Sequence, residues 1–363
     1  MNDNKSISKL QLFFLLVQTQ IGIGLLSLPS VIQKTADGDA WISTILAGIG
    51  IEIMLVIYWL LLKRFPKYIL PEITVKITGK FLGRMLNIFY YIYFLSTAGF
   101  VVIIVVRLIK LWLLPGTPTW VISLLLIVAS VYLAIDDLKI IARFFTLATS
   151  LLILLILLSF LNFTQELDIR YVLPIGKSGI KNIILGSNDA IISMLGIEML
   201  LFSFPFILNK KKGVFKTFTF ASLCVTTLYT YSTFVTLLSF SPEILKNIRE
   251  PILFIFRGLA FKVIDRLDLV FVSIWIVPMT TSIVAYLFMA SKSISKHKKT
   301  YRKMVIVNSI VIFLISLIPI NEKLVNQFSK MIMYGAYCFV FILPTVLLLF
   351  AYILRKKEMD ENL

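Results

Sequence analysis

The chain has 363 residues, 59% of them hydrophobic and 13% aromatic, with a mean hydropathy of +0.93. That composition excludes an ordinary soluble domain and points to a polytopic membrane protein. The formal net charge of +17 does not indicate a nucleic-acid surface. Lys and Arg gather in short segments between apolar runs, where positive-inside retention places them. Cys224 and Cys338 fall within apolar runs and suggest no disulfide framework. His297, the single histidine, leaves no histidine-based metal site or triad, and no metalloprotease, Walker or nucleophile motif is present. An enzyme with a cofactor is therefore not expected.

The start, MNDNKSISK, is polar, and no small-residue cleavage site follows the first apolar run, which reads as a retained span. Apolar runs of membrane-crossing length predict ten transmembrane helices: 10–32, 40–62, 84–106, 119–138, 141–162, 184–208, 217–239, 267–291, 304–320 and 331–354. With the N-terminus inside, the inner segments hold 23 Lys and Arg and the outer segments 13. Both termini are thus expected in the cytoplasm. The inner loop 63–83 predicts a short surface helix. The outer loop 240–266 predicts a helical hairpin interrupted by Pro251. The whole chain, 1–363, is expected to form a single all-α membrane domain.

Within the first span, QTQIGIGLLSLPS offers Gly22-Ile23-Gly24 followed by Ser27-Leu28-Pro29. Within the sixth, MLGIEMLLFSFPF offers Gly196-Ile197-Glu198 followed by Ser203-Phe204-Pro205. Spans one and six are equivalents in a five-plus-five repeat, here about 10–162 and 184–354, and an odd number of spans per repeat makes the halves inverted. Backbone groups in hydrocarbon must be satisfied, so an unwound segment persists only against protein or a water-filled cavity. Glycine eases departure from helical geometry and proline removes a donor. Two broken helices facing each other at mid-membrane suit a zwitterionic amino acid; close helix packing through small residues is the alternative reading.

Glu198 lies near the centre of span six, where a carboxylate needs a partner, a proton or water. It meets either a ligand ammonium or the amides of the break, or it is a protonated residue tying two helices. Glu52 in span two poses the same problem, with a structural reading favoured. Gln18 and Gln20 lie on different helix faces, and Gln20, next to the break, is the better ligand candidate. Asp189 sits near the outer end of span six. Thr280, Thr281 and Ser282 in span eight, and Tyr93, Ser96 and Thr97 in span three, either bond back to their helices or line a cavity. Arg107 and Lys110 snorkel from the outer end of span three. Met194, Met199 and Phe202 would shape a pocket for a small amphiphile.

Three stretches, QTQIGIGLLSLP, the loop FP-x4-P-E-I-x5-GKFLG (65–83) and GIEMLLFSFPFI, resemble the spore germination permease family, the B subunits of nutrient germinant receptors. That family is similar to the amino acid–polyamine–organocation transporters with their LeuT-like five-plus-five inverted fold and broken helices 1 and 6. The resemblance implies receptor A and C subunits as partners, the inner membrane of the spore as location, and detection of a small nutrient, often an amino acid. Carried residue by residue, it places Gly22, Ile23, Gly24, Gly196, Ile197 and Glu198 at the substrate site, with Thr97 and Thr281 more loosely. Span-eight hydroxyls form part of a cation site in sodium-coupled relatives, but span one here offers no acid to complete it. An active amino acid transporter, or an ion or water conduit opened during germination, are the competing functions.

Overall fold

A computed structural model describes residues 6–22, 24–208, 210, 213–259, 266–295, 297–318 and 321–358. Ile23 and the end of the outer loop, 260–265, lie outside the described residues. The first helix, α1 (Lys9–Gln20), begins at Ser8, whose hydroxyl accepts the Gln11 amide at 3.1 Å. The Gln11 side chain returns the bond to the Ser8 amide at 2.9 Å, closing a capping box. The helix stops at Ile21, which is extended, and resumes as α2 (Gly24–Ala36). A continuous α3 (Ala40–Arg64) follows. A short α4 (Leu70–Thr78) then packs on α5 (Lys80–Trp112). α6 (Thr119–Ala134) and α7 (Leu138–Ser159) complete the first half.

The second half opens on α8 (Gly179–Ser193), interrupted at Met194 and followed by α9 (Met199–Ser203) and a 3-10 turn over Phe204–Phe206. α10 (Val214–Ser239) leads into a hairpin of α11 (Pro242–Asn247) and α12 (Pro251–Gly258), each with proline at its first helical position. α13 (Leu267–Ile294) and α14 (Lys298–Ser316) follow. The last span is α15 (Glu322–Ala336), a π-helical stretch Tyr337–Ile342, and α16 (Leu343–Ile353). A carbonyl of that π stretch, Val340 O, accepts the Tyr58 hydroxyl of α3 at 2.8 Å.

All ten predicted spans are helical, with shifted ends. The sixth begins at Gly179, not 184, and the ninth runs over Lys298–Ser316, not 304–320. The tenth starts nine residues early, at Glu322, because Asn321 caps it by accepting the Leu324 amide at 2.9 Å. Hydrophobicity alone places none of these polar helix starts.

α5 and α13 pack along their length through the centre, while α1 lies against α7 and α10 and α8 against α2 and α3. Outward faces stay apolar: Ile45, Ile49, Ile53, Val56 and Leu60 form an exposed stripe along α3, as lipid contact requires. The chain before α1 pairs with the chain after span six. The Ile7 amide donates to Phe206 O at 2.8 Å and the Leu208 amide to Ile7 O at 3.0 Å. The start of span one and the end of span six therefore share one side of the molecule, as antiparallel broken helices do.

Candidate functional site

The two breaks meet backbone to backbone. Gly196 has φ +126°, a region side chains avoid, and a Cβ there would lie 2.5 Å from Thr19 O and 2.9 Å from the Gln20 amide nitrogen. Conversely, a Cβ on Gly24 would lie 2.7 Å from the Ser193 carbonyl. Each glycine therefore lets the opposite broken helix approach. Gly22 stands near α13, where an added Cβ would be 3.1 Å from Ser282 Oγ.

Glu198 fastens the junction. Its side chain is 1% exposed; one carboxylate oxygen accepts the Gly196 amide at 3.0 Å and the other accepts the Tyr286 hydroxyl of α13 at 2.9 Å. The acid thus caps an amide freed by its own break, which is one way to hold a carboxylate away from water. Tyr58, Tyr90, Tyr93 and Tyr286, all buried, stand close enough to interact electrostatically with it. Among the described residues the hydroxyls of Tyr90 and Tyr93 have no hydrogen-bond partner.

Freed carbonyls are held by one residue that the sequence reading passed over. Tyr229 of α10 points its hydroxyl at Gln20 O, 3.1 Å away, and at Ser193 O, 2.9 Å away. It thereby straps the last carbonyl of α1 to the last of α8. A tyrosine at mid-span must find an acceptor for its hydroxyl, and that demand is the signal that Tyr229 and Tyr286 carried in the sequence.

The two glutamines separate as their helix faces require. Gln18 is fully buried and joins three helices: its amide nitrogen donates to Thr149 Oγ1 of α7 at 3.2 Å, and its oxygen accepts the Thr281 hydroxyl of α13 at 3.0 Å. Gln20 donates to Leu16 O at 3.3 Å, and among the described residues its buried side-chain oxygen has no partner. Thr281 is thus placed at the Gln18 cross-link, and Ser282 donates to Pro278 O. Thr97 donates to Tyr93 O of its own helix at 2.8 Å, and among the described residues no hydrogen bond joins it to either break. Ile197 is fully buried beside Glu198, and Met194, Met199 and Phe202 pack in the same core. Glu52 faces α10 from α3, and Asp189 accepts the Thr35 hydroxyl at 3.3 Å.

No cluster of three or more metal-ligating side chains occurs among the described residues. The arrangement brings together two backbone breaks, one buried carboxylate and one tyrosine strap, contributed by spans one, six, seven and eight.

Solved structures share this architecture. The chain superposes on MhsT in complex with L-phenylalanine with a TM-score of 0.68 at 15% identity, covering 96% of this chain and 89% of that one. It superposes on a Na+-coupled sialic acid symporter in a substrate-bound outward-open state with a TM-score of 0.64 at 13% identity, covering 93% and 80%. The fold is therefore the LeuT-like five-plus-five inverted repeat with helices 1 and 6 broken, in a multi-pass membrane protein. Among curated proteins, spore germination protein A2 of Bacillus subtilis (strain 168) is 30% identical over 92% of each chain. Spore germination protein GerQB of Bacillus cereus is 27% identical over 88% of each chain. A family described as spore germination protein matches residues 6–325, a stretch that includes both broken helices, the hairpin and the Gln18 cross-link, and it is to this spore germination permease family that the chain belongs.

Proposed function

We propose that this chain is the membrane-embedded B subunit of a nutrient receptor of the spore inner membrane, with both termini cytoplasmic and with A and C subunits as partners. It binds a small nutrient, an amino acid by preference, where the two breaks meet, and transmits the change in shape. The observation that carries this reading is Glu198, buried at the junction and bonded both to the Gly196 amide and to Tyr286.

Both carboxylate oxygens are engaged, so a ligand ammonium must displace one of those donors or share its acceptor oxygen. Binding then loosens either the link to α13 or the turn at Gly196. Differential affinity for fastened and loosened forms is what converts occupancy into a signal. Gln20, Gly22, Ile23, Gly24, Thr97, Gly196, Ile197 and Thr281 are the other residues assigned to this region.

The test is the nutrient dose–response of spores carrying Glu198→Gln. A glutamine keeps the size but cannot accept from both donors as a carboxylate does, and it carries no charge for an ammonium. The midpoint should rise at least tenfold while the protein accumulates normally; an unchanged response would make Glu198 a structural tie only. Uptake of labelled amino acid by proteoliposomes holding this chain alone would replace the sensor with a transporter.

A further inference from the structure

On the face away from both termini, an open-sided groove of about 700 Å³ runs between α3, α10 and the chain from the 3-10 turn Ile169–Val172 to Ile175. Trp41, the second residue of α3, lines it, and so does Ile45 one turn further along the helix. Ile45 also belongs to the exposed α3 stripe that faces lipid. The groove therefore opens sideways into hydrocarbon. None of Gly22, Gly24, Gly196 or Glu198 lines it, so it is separate from the junction described above.

The surface it presents is almost entirely hydrocarbon. No Asp, Glu, Lys or Arg is among the described residues that line it, and five lining side chains carry a polar atom. The indole nitrogen of Trp41 and the hydroxyl oxygens of Thr226 and Thr230 are buried, with essentially no surface to offer an occupant. The Tyr231 hydroxyl is engaged by Ser159 Oγ, 3.0 Å away. Thr227, which is exposed, adds a single hydroxyl. Water held against such a wall would lack hydrogen-bond partners, so at membrane depth the groove suits hydrocarbon.

A polar rim follows directly in the chain. Asp39, two residues before Trp41, accepts the Gly176 amide at 2.7 Å and the Ser178 amide and hydroxyl at 2.9 and 2.6 Å. Those bonds pin the turn after Ile175 to the start of α3 and use both Asp39 oxygens. Lys177 stands between the two pinned residues; it is exposed, and its side chain forms no ion pair among the described residues. Arg170, on the same stretch of chain, is by contrast paired with Asp168 at 2.7 Å. An unpaired ammonium two residues beyond the groove wall fits a phosphate lying above hydrocarbon tails.

The geometry points to a resident-lipid site: one diacyl phospholipid with its tails in the groove and its phosphate at Lys177. One leaflet's hydrocarbon is about 15 Å deep and a packed chain about 4.5–5 Å across, so each tail fills roughly 300–400 Å³. Two tails thus match the groove. A partner's transmembrane helix is about 10–12 Å across, and fewer than about two turns of it would fit. α10, which forms one wall, also carries Tyr229, so the lipid seats against the helix that straps the two breaks.

The probe is dioleoylphosphatidylglycerol, added to the delipidated full chain in detergent and counted by native mass spectrometry. Dioleoylglycerol, which lacks the phosphate, and glycerophosphoglycerol, which lacks the tails, are its counterparts. One saturable phospholipid per chain is expected, with no binding of glycerophosphoglycerol. Dioleoylglycerol should bind about fivefold more weakly, and Lys177→Ala should weaken the phospholipid by about the same factor. Thr227→Trp and Ile45→Trp, at exposed lining positions, should each remove the saturable lipid. Leu147→Trp, exposed on α7 outside the groove, should leave it in place. The absence of a saturable lipid, or its survival in both folded groove variants, would refute the site. Equal binding of dioleoylglycerol, full affinity in Lys177→Ala, or a dimer of the chain that excludes the lipid and so gives the groove to a second copy would each refute it as well.

Discussion

Replacing Gly196 by alanine tests the meeting of the breaks with a single methyl group. Two costs follow from the geometry. At φ +126° an L side chain is strained, a penalty on the order of 1–3 kcal/mol. The new Cβ would also stand 2.5 Å from Thr19 O and 2.6 Å from Thr19 C, both backbone atoms at the end of α1 that no rotamer change can move aside. Relieving such a contact shifts a packed helix end and costs roughly another 1–3 kcal/mol. The total is about 2–6 kcal/mol, or roughly 3–8 °C in Tm for a chain of this size. The assay is thermal unfolding of purified protein in detergent, beside the nutrient response of spores carrying the variant. Gly116→Ala is the control, since nothing lies within 4 Å of a Cβ added there. If Gly196→Ala melts within 1–2 °C of the wild type and responds normally, the two breaks do not press together as described.

Three more substitutions probe the surrounding links. Tyr229→Phe removes the hydroxyl that serves Gln20 O and Ser193 O, and should cost about 1 kcal/mol in stability and shift the nutrient midpoint; an unchanged midpoint would deny the strap a part in signalling. Gln18→Leu removes the links to Thr149 and Thr281 and should cost roughly 1–3 kcal/mol, seen as a lower Tm that Gln18→Glu restores only in part. Asp39, beyond the predicted spans, accepts the Gly176 amide at 2.7 Å, and the Ser178 amide and hydroxyl at 2.9 and 2.6 Å. Burial would raise its pKa, but those hydrogen bonds outweigh burial and hold the carboxyl below the ordinary value. Its contribution is therefore complete above the unfolded value near pH 4 and is lost as pH falls through the lower folded value. Exchange protection of the Gly176 and Ser178 amides should fall with acid in the wild type, while Asp39→Asn should lose about 2 kcal/mol of it already at pH 7; a flat acid profile in the wild type would refute the sign.

Most of the architecture was legible from hydrophobic run length, because hydrocarbon imposes a fixed helix length on any chain that crosses it. The breaks were legible too: the Gly-x-Gly of span one and the Gly-x-Glu of span six stand where α1 and α8 stop. The work done by the glycines was not legible, since Gly24 and Gly196 make room for the opposing helix, and which helix opposes which is a tertiary fact. Gln18 and Gln20 show the same limit. Both are polar and adjacent to the break, yet only Gln18 has Thr149 and Thr281 within reach, supplied by helices 131 and 263 residues away in sequence. Tyr229 is visible in the sequence as a mid-span hydroxyl in need of an acceptor, but its two acceptors belong to backbone that no side-chain pattern marks.

The π-helical stretch Tyr337–Ile342 sets the helical phase of the last span. One extra residue per turn there rotates everything after it by about 100° relative to an uninterrupted α-helix. Gly335, whose added Cβ would touch the Tyr93 ring at 2.8 Å, lies before the stretch, while buried Pro344, Leu347 and Leu348 lie after it. Residues on both sides of the stretch pack against protein across that change of phase. A change of length within 337–342 would alter the phase of everything after it, whereas a substitution there alters one side chain.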